Sequence, residues 1–155
     1  MNPINSPITG EGSSKGLEID YKIYETLNQF YKAFNNKNFE LMQKNWLNSE
    51  EIAMANPLGG IKKGWKEINS MYQRIFLGKA NVYVEFYDYL VIKMDGGFCA
   101  IGRERGHVEQ NGEKLELVIR TSRIYKLIEN EYKQIHHHGS IEKPQLLQQY
   151  QTLVK

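Results

Sequence analysis

An α+β architecture, with helices gathered on one face of a curved antiparallel sheet, is the fold class the sequence predicts. Apolar residues recur at helical spacing from Ile19 to Phe34 and again from Trp65 to Phe76. From Asn81 onward the period changes to two, over long runs rich in β-branched and aromatic residues. Those runs are divided by Asp95-Gly96-Gly97, Asn111-Gly112 and Glu129-Asn130-Glu131, so consecutive strands should pair as a meander.

The chain has 155 residues, a length that suits one domain with a substantial core. That domain is placed at residues 18–155. Residues 1–17, crowded with Pro3, Pro7, Gly10, Gly12 and Gly16 and carrying only the isolated Ile4 and Ile8, are expected to be a disordered tail. A net charge of +2 argues against nucleic acid as a partner and against an anionic membrane surface. No apolar run approaches a membrane span and the first residues lack an apolar signal core, so a cytoplasmic protein is expected. The single cysteine, Cys99, excludes an internal disulfide and reads as a small core residue of a strand.

The first helix, Glu18 to Asn36, aligns Ile23, Leu27, Phe30, Tyr31 and Phe34 on one stripe. Asn35-Asn36-Lys37-Asn38 ends it and can cap the short helix Phe39 to Trp46. A short strand, Glu51 to Ala55, leads to the loop Asn56-Pro57-Leu58-Gly59-Gly60. The third helix, Gly64 to Leu77, directs Ile68, Met71, Tyr72, Ile75 and Phe76 inward, and Gly78 stops it. In the strand Asn81 to Met94, alternation places Val82, Val84, Phe86, Asp88, Leu90 and Ile92 on one face, with Tyr83, Tyr87 and Tyr89 on the other. The strand Phe98 to Gln110 follows. The next strand carries Leu115, Leu117, Ile119, Thr121, Arg123, Tyr125 and Leu127 on a single face, and the last brings His136, His137 and His138 beside it. Pro144 to Thr152 should form a terminal helix with Leu146, Leu147 and Tyr150 as its apolar side.

Chemistry enters where these faces are interrupted. Arg123 lies in the middle of an apolar face and needs an anionic or hydrogen-bonding partner, because burying it alone is costly. The partner is either a ligand or an internal acid, with Asp88, Glu104 and Glu85 as candidates. The three consecutive histidines alternate faces, so only His136 and His138 could share a metal ion, and no Cys, Asp or Glu stands at a metal-ligand spacing from them. Neither a metal nor a cofactor is expected. Trp46 and Tyr72 read as core or cavity wall. Tyr83, Tyr87 and Tyr89 on an outer sheet face would suit a homodimer interface.

The final hairpin also resembles a known family. SnoaL-like domains, members of the nuclear transport factor two-like superfamily, often end in aromatic-x-x-hydrophobic-His-x-His-x-Ser, which Tyr132, Ile135, His136, His138 and Ser140 match. The aromatic first helix, the asparagine-rich break, the short Trp46 helix and the glycines between Asn56 and Trp65 follow the family order, so the resemblance spans 19–141. It implies a cystatin-like cone, in which a bent sheet closes over three N-terminal helices and leaves a cavity.

The last strand is also similar to that of the association domain of calcium/calmodulin-dependent kinases, where arginines on the sheet line the cavity. This likeness implies Arg103 and Arg123 as ligand-binding residues, with Gly139 standing where a third arginine would be, and it puts His137 on the cavity side. Catalytic members, such as steroid isomerases and polyketide cyclases, use an Asp base inside the cavity; Asp88 is the candidate here because it interrupts the apolar face of its strand, with His137 as an alternative proton carrier. The expected function is a small-molecule-binding domain whose cavity, with Arg103, Arg123, His137, Asp88, Trp46 and Tyr72, takes an anionic, partly apolar ligand. The alternatives are an isomerase, cyclase or hydrolase, and an oligomeric assembly module.

Overall fold

The computed structural model describes residues 1–155. Helix α1 (Tyr21–Asn35) begins where the Asp20 carboxylate accepts the backbone N–H groups of Lys22 and Ile23, and it buries Ile23, Leu27, Phe30 and Tyr31. Asn38 caps α2 (Phe39–Asn45) by accepting from the Leu41 N–H. The short strands β1 (Ala53–Ala55) and β2 (Lys62–Lys63) precede α3 (Gly64–Leu77), which buries Ile68, Met71, Tyr72 and Phe76. Then come β3 (Asn81–Met94), β4 (Gly97–Gln110), β5 (Glu113–Ile128), β6 (Glu131–Ile141) and α4 (Pro144–Leu153). The strands form one curved, open sheet in the order β2-β1-β6-β5-β4-β3. β3 to β6 are the expected antiparallel meander, while β1 joins β6 in parallel with Met54 opposite His137. Asn111 and Gly112 turn with φ of 54° and 78°, and Glu129 and Asn130 with 49° and 67°, the positive-φ pairs that two-residue hairpins require. No helix is long and apolar enough to cross a membrane.

Two bulges reset the alternation of faces. In β3 the pairing jumps from Tyr87–Arg103 to Leu90–Ile101, so Asp88 and Tyr89 together oppose Gly102. Asp88 takes φ 49°. A Cβ on Gly102 would lie 2.6 Å from the Cβ of Tyr89, so only glycine admits the bulge here. Strict alternation therefore misplaces every residue of β3 from Asp88 onward, including Leu90 and Ile92, which face outward. Asp88 is not on the inward face of Val84 and Phe86, and Tyr89 turns inward and is fully buried instead of joining Tyr83 and Tyr87 outside. In β6 the pairing jumps from Ile124–His136 to Tyr125–Gln134, which turns both Gln134 and His137 inward.

The N-terminal segment corrects the expected disorder. Ile4 exchanges backbone hydrogen bonds with Tyr89 at 2.8 and 3.1 Å, and Ile8 does so with Phe86 at 2.8 and 2.9 Å. Ile8 is fully buried. The Asn28 side chain bonds both the N–H and the carbonyl of Gly10, and Asn35 donates to the Thr9 carbonyl at 3.0 Å. Gly10 (φ 94°) is pressed so closely on α1 that a Cβ would meet the Lys32 backbone at 2.5 Å. This segment has no periodicity of its own. Its order comes from the free edge of β3, whose N–H and C=O groups it pairs.

Candidate functional site

Between the helices and the inner face of the sheet lies a cavity of about 50 Å³. Its wall is mostly apolar, with Phe30, Phe34, Met71 and Ile75 from the helices and Val84 and Ile119 from the sheet. The polar lining residues are Asn56, Glu104, Arg123 and His137, together with Tyr72 and Tyr150.

Arg123 on β5 is 1% exposed. Its Nη2 donates to Glu104 Oε1 at 3.0 Å, its Nη1 to Gln134 Oε1 at 2.8 Å and its Nε to the Tyr31 hydroxyl at 3.4 Å. The guanidinium carbon sits 3.6 Å from the centroid of the Phe30 ring, a cation–π contact. Tyr31 in turn donates to Glu104 Oε1 at 3.0 Å. Gln134 and Tyr125 both donate to Asn45 Oδ1, at 3.1 and 2.7 Å, which carries the network into α2. Burial by itself would weaken the charge on Arg123, but its hydroxyl neighbours, Tyr31 above all, and Glu104 more than offset this and hold the guanidinium ionised. Burial pushes the Tyr72 phenol up to about 12, and it lifts Tyr31 well above the usual phenol range, with Glu104 adding to the effect.

The acid that satisfies Arg123 is Glu104, one of the internal partners considered from sequence but not one of the expected site residues. Its signal was parity. In β4 it shares a face with Phe98, Ala100 and Val108, all buried. The same parity sends Arg103 outward. Arg103 is exposed and pairs with Asp88 and, at 3.3 Å, with Glu142. The expected pair of cavity arginines is thus corrected to one, Arg123, already partnered by an acid. Asp88 is corrected as well, because the bulge places it on the outer face against Arg103, away from the cavity. Trp46 is buried 6.2 Å from the Tyr72 ring, behind the cavity wall, whereas Tyr72 itself lines the cavity.

His137 lines the cavity and is 6% exposed. Its Nε2 lies 2.7 Å from Thr121 Oγ1. Burial first, then the nearby Arg123 charge, holds its pKa well below the usual histidine range, so the ring is neutral. His136 and His138 point to the other face, where His136 Nδ1 lies 2.9 Å from the Ala53 carbonyl. No group of three or more His, Cys, Asp or Glu is arranged to hold a metal ion. Cys99 is half-buried on the outer face instead of lying in the core.

Comparison with known proteins agrees with this architecture. Among solved structures, the chain is similar to a nuclear transport factor 2-like superfamily protein from Salmonella enterica serovar Typhimurium, with TM-score 0.70 and 16% identity over 78% of this chain and 89% of that one. It is also similar to an uncharacterised protein with a cystatin-like fold from Caulobacter vibrioides, with TM-score 0.66 and 15% identity over 85% and 95%. A third is a candidate calcium/calmodulin-dependent protein kinase II association domain from Xanthomonas campestris, with TM-score 0.69 and 12% identity over 93% and 98%. At these identities the likeness concerns the fold alone. No curated protein matches the chain. The SnoaL-like domain family matches residues 23–144, which takes in every strand of the sheet and every lining residue of the cavity except Tyr150. With its cone-shaped sheet, its three N-terminal helices and that match, this chain belongs to the SnoaL-like domain family.

Proposed function

We propose that this domain binds a small, mainly apolar, uncharged molecule in the cavity between helices and sheet. The observation that carries this reading is the Arg123–Glu104 pair. It closes on itself at 3.0 Å, so the cavity holds no net positive charge for an anion, and an incoming carboxylate would face Glu104. The apolar wall supplies most of the contact, and a volume of about 50 Å³ suits an occupant of only a few heavy atoms. Binding is favoured over isomerase, cyclase or hydrolase chemistry because the candidate proton carriers are poorly placed for it. His137 is held neutral and is a weak base, and Asp88 faces the opposite side of the sheet. The test is a thermal-shift titration with acetamide against acetate. Acetamide is expected to stabilise the protein, by about 2.7 kcal/mol at a hundredfold excess over its Kd. A larger shift with acetate would restore the anion-binding reading.

We also propose a homodimer through the outer sheet face. The supporting patch is aliphatic and displaces the expected tyrosine cluster. Ile92 and Ile101 are 43% and 39% exposed, and Leu90 and Ile124 adjoin them across β3, β4 and β5. Arg103, Arg120, Asp88 and Glu142 rim the patch with both signs of charge, which suits contact with a second copy of the same surface. Tyr83 and Tyr87 are engaged locally, by His107 and Arg105. Light scattering is expected to give a dimer that Ile101→Lys converts to monomer. A monomeric wild type would overturn the proposal, and a large closed ring would favour the assembly-module reading.

A further inference from the structure

A second concavity lies on the far side of the cavity wall. It is a groove of about 870 Å³, within the range of small-molecule clefts, bordered by the end of α3, the start of β3 and α4. Leu58, Ile75, Val82 and Tyr150 line both spaces, so the floor of the groove is the back of the cavity wall. Val154 extends that apolar floor, and it, Ile75 and Val82 are only partly buried. Arg74, Lys79 and Lys155 line the same groove, are exposed, and take part in none of the protein's ion pairs. No acidic side chain lines it. Glu109, next in sequence to the lining residue Gln110, is exposed on the other face of the sheet. The carbonyls of Gly78 and Ala80, just past α3, accept from Lys37 Nζ at 3.4 and 3.2 Å, so a fourth cation blunts the negative end of that helix.

We propose that this groove binds a single-chain amphipathic anion, an alkyl carboxylate being the simplest, with its head on Arg74 and Lys79 and its chain along Ile75, Val82 and Tyr150. Cations without partners beside an apolar floor left to water are the two halves such a molecule satisfies together. Charge of one sign, with no acid in the lining, sets the preference for an anion over a neutral or cationic amphipath. The groove differs in this from the cavity, where Glu104 already neutralises Arg123. Val82 shares the inward face of Val84 and Phe86, opposite the Ile92 and Ile101 patch, so a dimer through that patch leaves the groove open.

The probes are octanoate, octanol and acetate, titrated into the full chain labelled with ¹⁵N and followed by NMR. Octanoate should shift the backbone amides of Lys79, Ala80, Val82, Gln110 and Val154, and bind about fivefold more tightly than octanol, the worth of two exposed ion pairs. Acetate has the charge without the chain, and should bind at least about tenfold more weakly than octanoate. In the double variant Arg74→Gln/Lys79→Gln, which removes exposed and unpaired charges, the ratio of octanoate to octanol affinity should fall to about one. Equal affinities for the two in the wild type, a ratio unchanged in the double variant, or shifts confined to cavity residues such as Phe30 and Ile119 overturn the proposal. A protein that ignores octanoate but sediments with phosphatidylglycerol vesicles overturns it too, because the basic groove would then be a membrane contact. The cavity is read separately with acetamide, which should stabilise the double variant as it does the wild type. Failure of octanoate therefore leaves the cavity reading standing, and failure of acetamide leaves the groove.

Discussion

Arg123→Leu is expected to lower the unfolding free energy by about 3–5 kcal/mol in guanidinium titrations, because it leaves Glu104 buried with only the Tyr31 hydroxyl as partner. It also strips Gln134 of its donor and Phe30 of the guanidinium above its ring. The double variant Arg123→Leu/Glu104→Leu should recover much of that loss, since removing both charges abolishes the desolvation penalty as well as the attraction. The coupling between the substitutions separates two roles for Arg123. A structural partner of Glu104 gives strong coupling and a large single-variant loss. A loss below about 1 kcal/mol for Arg123→Leu would show that the protein does not depend on the pair, and would return Arg123 to the role of a ligand-binding cation.

Ile8→Ala should destabilise the domain by about 2–5 kcal/mol, the range for truncating a fully buried aliphatic side chain, and Ile8→Val by about 0.5–1.5 kcal/mol. The side chain is anchored by the backbone ladder to Phe86, and the chain after it is held by Asn28 and Asn35, so it cannot retreat to solvent without undoing several hydrogen bonds. Hydrogen exchange adds a second readout, in which the Phe86 and Tyr89 amides, which donate to Ile8 and Ile4, should be protected in the wild type and exchange faster in Ile8→Ala. If Ile8→Ala changes stability by less than about 0.5 kcal/mol, the segment is not seated on β3 in solution.

What could be read without the fold was whatever depends on neighbours in sequence. The stripe of Ile23, Leu27, Phe30 and Tyr31, the Asn38 cap and the Asn111-Gly112 turn are local, and each appears where the pattern put it. The inward direction of Arg123 was legible because β5 keeps its alternation unbroken from Leu117 to Tyr125. So was its need for a partner, which follows from the energetics of a buried charge alone.

The rest depended on residues distant in sequence. The bulge at Asp88 and Tyr89 exists because Gly102, on the next strand, leaves room for it, and that one extra residue reverses every face assignment after it in β3. Arg123 stood out as a charge on a mostly apolar face and Glu104 was one of three candidate acids for it, but only the pairing of β4 with β5 decides that they meet and that Arg103 turns outward to Asp88. The N-terminal segment shows the same limit from the other side. Its glycines and prolines favour no structure by themselves, and the edge of β3 imposes one on Ile4 and Ile8. Residue type and period determined the elements and the inward arginine. Strand register, a property of pairs of strands, decided which charges meet, and so set Arg123 against Glu104 inside the cavity and Arg103 against Asp88 outside it.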